Sequence, residues 1–306
     1  MFCLSSTAQA GENLSLYGYY HLQTATFGFL MDETVPCSDG PCKVSDFTNV
    51  VFMDIRRQAD PDDIFDDLLG IPRALELGYK IILSFEALLA ETRISFEEFE
   101  HQMGLLSLKL RQKGYLRPDV IHAIFIIDEP WNYFISLEDQ EMALEVVNRY
   151  FPGYPTIINY SIGELRASFR AIPEALDIVA FDAYYFNEDR TEITPEGMQT
   201  FLDDAMLAIR TKAPGKPVIF IAQSFEQKEA GYFMPSADQM DWQMEYSLDQ
   251  QRNPEIMGHL WFLLPSAIPE EATGIRGAIE FPEVLTRHRQ IGIEVLNRAN
   301  QKMRKK

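Results

Sequence analysis

The sequence has no uninterrupted apolar run of about 18 residues, so no segment is long enough to cross a bilayer as a helix. It is also short of positive charge. Against 46 Asp and Glu stand 27 Lys and Arg, a formal net charge of −19. Such a surplus repels a phosphate backbone, which argues against nucleic acid as a partner and leaves neutral or cationic ligands open. Histidine is scarce, and His21, His101, His122, His259 and His288 show neither His-x-x-x-His nor His-Glu-x-x-His spacing. No metal centre is therefore expected. No Gly-rich loop follows a strand-like run in the phosphate-binding pattern, so no nucleotide is expected, and no other cofactor is called for. Low-complexity blocks and Ser/Gly linkers are missing as well, which argues against a chain of separate modules.

What is present is the material of an ordered globular protein: 306 residues, 46% hydrophobic and 12% aromatic. Of the three cysteines, Cys37 and Cys42 enclose Ser-Asp-Gly-Pro, a turn-forming sequence that would bring the sulfurs together. A small-loop disulfide is expected there. The rival reading, a metal site, has only two thiols and no nearby His to support it. Cys3 is left over. Residues 1–12 include Ala8-Gln9-Ala10, the pattern cut by signal peptidases, and read as a signal-peptide remnant or a disordered terminus. With the disulfide, this points to a secreted or periplasmic protein. The basic residues of 301–306 read as a solvated tail.

Apolar runs rich in β-branched and aromatic residues recur at 14–22, 47–55, 79–87, 120–130, 155–161, 176–186, 217–225 and 256–266, with helix-periodic segments between most of them and a last one near 281–298. Helix starts are marked at Ser95, with Glu98 three residues on, and at Thr194-Pro195. Gly78 and Gly114 sit where helices should stop. The runs are almost continuously apolar, as expected of strands buried on both faces of a parallel sheet. Eight βα repeats without a change of composition predict one α/β domain over 13–300, a single (β/α)8 TIM barrel.

In such a barrel the site is built at the C-terminal ends of the strands, so the polar residues that follow each run are the candidates. They are Tyr20 and His21, Asp54, Glu86, Asp128-Glu129-Pro130-Trp131, Asn159, Asp182 with Tyr184, Gln223, and Trp261. Taken singly, an acid here is more often a helix cap or an ion-pair partner than a catalyst. Asp128 and Glu129 differ: two adjacent acids directly after a fully apolar strand are costly to bury unless used. Carboxylates among aromatic rings suit sugar chemistry, in which an acid protonates a glycosidic oxygen and rings stack on pyranoses. Trp131 and Tyr133, beyond strand four, suit an outer sugar subsite.

On these residues the chain resembles the (β/α)8 glycoside hydrolases of the clan in which a Glu ending strand four is acid/base and a Glu ending strand seven is nucleophile. Asp128-Glu129-Pro130 stands where that clan has Asn-Glu-Pro, and the resemblance assigns Glu129 as acid/base. The run from Asp177 to Tyr185 is similar to the clan's strand six. Trp261 matches its strand-eight Trp, which floors the −1 subsite. The departure is Gln223 in the nucleophile position, since an amide cannot act there as a carboxylate does. Four readings follow. Glu226 swings in as nucleophile; Asp54, Glu86 or Asp182 supplies the base of an inverting enzyme; Asp128 and Glu129 act as the pair of a substrate-assisted hexosaminidase, with Tyr184 or Gln223 holding the acetamido group; or the barrel binds carbohydrate without catalysis. The expectation carried forward is a glycosidase acting on a poly- or oligosaccharide, with Glu129, Asp128 and Asp182 as catalytic residues. A lyase or deacetylase on the same barrel is the weakest alternative.

Overall fold

The computed structural model describes residues 14–20, 34–55, 70–91, 95–190, 192–262 and 274–303. Its elements, in chain order, are β1 (Leu16–Tyr19), β2 (Thr34–Cys37), β3 (Gly40–Lys43), β4 (Val50–Asp54), α1 (Gly70–Glu76), β5 (Lys80–Ser84), α2 (Phe96–Gln112) and β6 (Ile121–Asp128). There follow α3 (Leu137–Tyr150), β7 (Thr156–Ser161), α4 (Ile162–Arg166), β8 (Ile178–Asp182), α5 (Pro195–Lys212), β9 (Val218–Gln223), β10 (Phe225–Gln227), α6 (Ala237–Leu248), β11 (Ile256–Phe262), β12 (Ile275–Gly277) and α7 (Pro282–Met303).

Eight of these strands pair in parallel in the order β1, β11, β9, β8, β7, β6, β5, β4, and the Gly18–Val50 pairing closes the ring. The fold is a single α/β TIM barrel, and each barrel strand lies inside one of the eight apolar runs. Two additions were not legible as barrel strands. β2 and β3 form a hairpin stapled by a Cys37–Cys42 disulfide, and β10 pairs with β12 over the barrel rim. Cys3 and the Ala8-Gln9-Ala10 pattern lie outside the described residues. α7 runs to Met303, into the stretch read as a tail.

Alternation along the strands divides the core. Leu16, Val50, Phe52, Ile82, Phe125, Ile157, Ile178, Ile219, Ile221 and Leu260 fill the barrel, while their neighbours in sequence pack outward against the helices. The expected helix signals are in place: the Ser95 side chain accepts from Glu98 N, Thr194 Oγ1 accepts from Gly197 N, and Gly78 and Gly114 have φ of 77° and 73°. Among the described residues no helix is long and apolar enough to cross a membrane.

α7 seals the ring between the first and last strands. A Cβ at Gly292 would lie 2.2 Å from the Phe47 carbonyl oxygen and 2.7 Å from Tyr17 Cε1, so the helix can approach this closely only without a side chain there. The hairpin braces its start, because Thr286 Oγ1 accepts from Ser38 N at 2.8 Å and Arg289 pairs with Asp39. Gly292→Ala is therefore expected to lower stability by about 1–3 kcal/mol in chemical denaturation, as overpacking does. An unchanged midpoint would mean that α7 can shift outward at no cost.

Candidate active site

Parity along each strand decides which residues face the barrel mouth. On β8 the inward positions 178 and 180 lead to Asp182, and on β7 Ile157 leads to Asn159. β6 alone would send Asp128 outward, since Ala123 and Phe125 face in and Ile124 and Ile126 face out. A register shift between Phe125 and Ile127 adds one residue and reverses the phase. Ile127 then also packs outward, and Asp128 comes into register with Asn159.

The result is one hydrogen-bonded carboxyl cluster. Asn159 Nδ2 donates to Asp128 Oδ1 at 2.5 Å and to Asp182 Oδ2 at 3.4 Å. Asp182 in turn hydrogen-bonds Glu129 and the Tyr184 hydroxyl, and Asn132 donates to Glu129. Burial, and then the neighbouring Glu129 charge, pushes the Asp128 carboxyl up to about 7 although Asn159 pulls the other way. Burial likewise raises Glu129, and it raises Asp182 far above the carboxylate range, with the charges of Glu129 and Asp128 adding to it. Two carboxyls in direct contact cannot both ionise, so Glu129 and Asp182 share a proton at neutral pH. No Lys or Arg among the described residues appears beside them to neutralise the cluster.

Glu129 is held in an uncommon backbone state. Its φ of 38° and ψ of 68° are left-handed, although it is not glycine and precedes proline. The turn Pro130–Tyr133 that follows is pinned by Glu164, whose two oxygens accept from Trp131 N at 2.7 Å and Ser161 N at 2.9 Å. Glu164 was not singled out in the sequence. Its signal was there, because Ser161 and Glu164 have capping-box spacing and form that box on α4.

Tyr20 and Tyr184 complete the mouth. The Tyr20 hydroxyl donates to Glu86 at 3.1 Å and also bonds Asp128, and burial followed by the charges of Asp128, Glu86 and Asp54 keeps it protonated. The structure thus brings Tyr20, Asp54, Glu86, Asp128, Glu129, Asn159, Asp182 and Tyr184 around one opening. An aromatic wall missed in the sequence joins them. Phe262 stacks on Tyr184 at 5.8 Å and Phe225 meets Tyr184 edge-on at 4.9 Å, with Tyr232 5.4 Å from Phe225. His21 lies outside the described residues.

Three expected placements are corrected. Trp261 does not floor the mouth: it sits one residue out of phase, fully buried behind the barrel, where its ring stacks on His288 at 4.2 Å and Nε1 donates to Tyr17. Phe262, the next residue along, has the inward parity. Gln223 is inward but spent, since its Oε1 accepts from Phe186 N and its Nε2 donates to the carbonyls of Phe186 and Phe233. It has no free amide for an acetamido group. Glu226 belongs to β10 and is ion-paired to Arg276 and Lys228. Trp131 stands at the rim. No group of three or more His, Cys, Asp or Glu among the described residues is arranged to hold a metal ion.

Two measurements follow from this geometry. Because the fold retains the Asp128 proton up to about pH 7 and the unfolded chain releases it near pH 4, the folded state binds more protons in between, and stability falls as pH rises through that window. Asp128→Asn removes this slope, so relative to the parent it should gain about 3–4 kcal/mol from pH 4 to pH 8 in urea titrations. Parallel curves would place the Asp128 proton elsewhere. Gln223→Glu turns a carboxylate onto two backbone carbonyls and loses both donors, for an expected loss of about 2–4 kcal/mol. A variant as stable as the parent would release position 223 for chemistry.

No protein-family model matches the sequence, and no curated protein matches it. Solved structures resemble its fold. ZgEngAGH5_4 in complex with a cellotriose superposes with a TM-score of 0.56 at 11% identity, over 94% of this chain and 96% of that one. Exo-beta-1,4-mannosidase Op5Man5 from Opitutaceae bacterium strain TAV5 gives 0.52 at 12% identity, over 90% of this chain and 62% of that one, so this chain spans less than two thirds of the mannosidase's length. A putative alpha-L-fucosidase from Bacteroides thetaiotaomicron gives 0.50 at 11% identity, over 81% of this chain and 83% of that chain. What these structures share with the chain is the fold, a closed eight-stranded parallel barrel.

Proposed function

We propose that the protein is a glycoside hydrolase in which Glu129 is the general acid and the substrate supplies its own nucleophile. The observation that carries this reading is the direct hydrogen bond between Glu129 and Asp182. Acid and nucleophile of a retaining glycosidase stand about 5–5.5 Å apart, and acid and base of an inverting one about 6.5–9.5 Å. A hydrogen-bonded pair is too close to flank a glycosidic bond in either way, and the strand-seven position is a consumed amide.

A 2-acetamido sugar resolves the difficulty. Glu129 passes the shared proton to the glycosidic oxygen as the acetamido carbonyl oxygen attacks C1 from the opposite face. The C1–O bond breaks, its electron pair leaves with the protonated aglycone, and the sugar becomes a cyclic oxazolinium ion. Both carboxyls of the pair are then ionised, which the positive charge of the oxazolinium ion permits in place of the shared proton; Asp182 faces that charge, with the Tyr184 hydroxyl to steer the acetamido group. Water then adds to C1, giving its proton to Glu129 and reopening the ring with retained configuration. Asp128, bonded to Asn159 and Tyr20, keeps the cluster's charge and geometry in place. The Cys37–Cys42 disulfide suits an oxidising compartment, in keeping with a secreted or periplasmic enzyme.

The test is hydrolysis of N-acetylated and non-acetylated glycosides and oligosaccharides. N-acetylhexosaminides should be preferred, the product should retain its anomeric configuration by NMR, and Glu129→Gln and Asp182→Asn should each lower kcat/KM about 100- to 10,000-fold. A Glu129→Gln protein as fast as the parent removes the acid. An inverted product moves the base to Asp54 or Glu86. Glycan binding without turnover anywhere on the panel favours a carbohydrate-binding barrel without catalysis, the reading to which Gln223 points.

A further inference from the structure

On the turn that follows Glu129 packs a group that the proposed chemistry does not use. Arg170, in the loop after α4, lays its guanidinium over the Trp131 ring at 3.4 Å, and its Cζ lies 5.3 Å from the Phe169 ring centre. Trp131 and Phe169 meet edge-on at 5.5 Å. Phe169 is 73% exposed and Trp131 37%, and Phe134, from the same turn as Trp131, is 83% exposed with φ of 59°. Bulky apolar rings are seldom held in solvent, and a non-glycine residue seldom at positive φ, unless the surface is used. The patch is continuous with the candidate site, because Trp131 is two residues beyond Glu129 and Glu164 anchors its backbone.

The charge at this patch is equally uncommon. In a chain with 46 acidic residues, the Arg170 side chain has no ion pair or hydrogen bond among the described residues. Nε is buried without an acceptor. Nearby cations are all engaged: Arg166 with Asp204, Arg190 with the Tyr185 carbonyl, and Lys212 with the carbonyls of Glu164 and Ala167. A guanidinium held over a ring, its donors unclaimed, is prepared for a planar two-oxygen acceptor.

We propose that Arg170, Trp131 and Phe169 form an outer subsite selecting a sugar unit that carries a carboxylate, a uronic acid. The rings take the apolar face of the pyranose, and the terminal nitrogens of Arg170 take the two carboxylate oxygens. The proposal rests on the carbohydrate reading of the barrel, and it places the negative charge of the ligand at the rim, away from Asp128, Glu129 and Asp182.

The experiment is equilibrium titration of the full chain, followed by tryptophan fluorescence and calorimetry. The probes are disaccharides containing glucuronate, galacturonate or mannuronate, each beside its carboxyl-reduced counterpart. The parent should bind at least one acidic form about tenfold or more tighter than its reduced twin, with the contrast shrinking as salt is raised. Arg170→Leu should bring the ratio close to one, Arg170→Lys should leave an intermediate ratio, and Phe169→Ala should weaken both forms without changing it. Equal affinity for all pairs, a contrast that survives Arg170→Leu, or no binding to any probe overturns the subsite. Because the readout is binding, an acid preference that Arg170→Leu erases stands even if no glycoside is hydrolysed. Conversely, turnover of N-acetylated glycans with no acid preference removes the subsite and leaves the hydrolase.

Discussion

Three carboxyl groups in one hydrogen-bonded cluster, Asp182 buried and Asp128 and Glu129 half-buried, are the constraint around which the rest of the barrel mouth is arranged. Taking a carboxylate out of water costs several kcal/mol unless it is neutralised or bonded, and no cation among the described residues performs that task here. The cluster is instead stabilised by shared protons and by donors that can reach it: the Asn159 amide and the hydroxyls of Tyr20 and Tyr184. Each donor has a position that only the closed barrel supplies. Asn159 and Asp128 meet because β6 and β7 are in register, and Asp182 joins them from β8.

Supports further out hold the strained piece. Glu164 ties the turn after Glu129 to the end of β7, and Gln223 ties the loop after β8 to the segment at Phe233. Both do so with side-chain oxygens and nitrogens bonded to backbone, which fixes loops where a sheet ladder has already ended. On the far side of the wall, His288 bonds the Tyr19 hydroxyl at 2.6 Å and stacks on Trp261, joining α7 to β1 and β11. Burial holds His288 and His259 below their usual range, so this layer stays neutral while the mouth is acidic. The polar residues of the two faces thus serve different ends, one anchoring a helix and the other gathering protons.

Much of this was legible residue by residue. Strand positions, helix caps at Ser95 and Thr194, the disulfide pair and the acids at the strand ends all follow from local pattern. The Trp261 placement failed although the information to correct it was in the strand: Leu260 and Phe262 share a face, so Trp261 must take the other. The inward turn of Asp128 was not legible at all, because the bulge at Phe125–Ile127 appears only when β6 is paired with β7. The same is true of Gln223. Its position at the end of β9 was readable, whereas its three backbone partners lie 10 and 37 residues away.

By itself the sequence determined the eight-strand barrel, since burial on both faces demands continuous apolar runs and the spacing between them admits a crossover helix each time. It also determined which residue types stand at the strand ends. Which of them share a proton, which are spent on backbone and which ring faces the mouth was decided by tertiary structure alone. The physical reason is that strand phase and inter-strand register are set by pairing, and a one-residue shift moves a side chain to the opposite face of the wall.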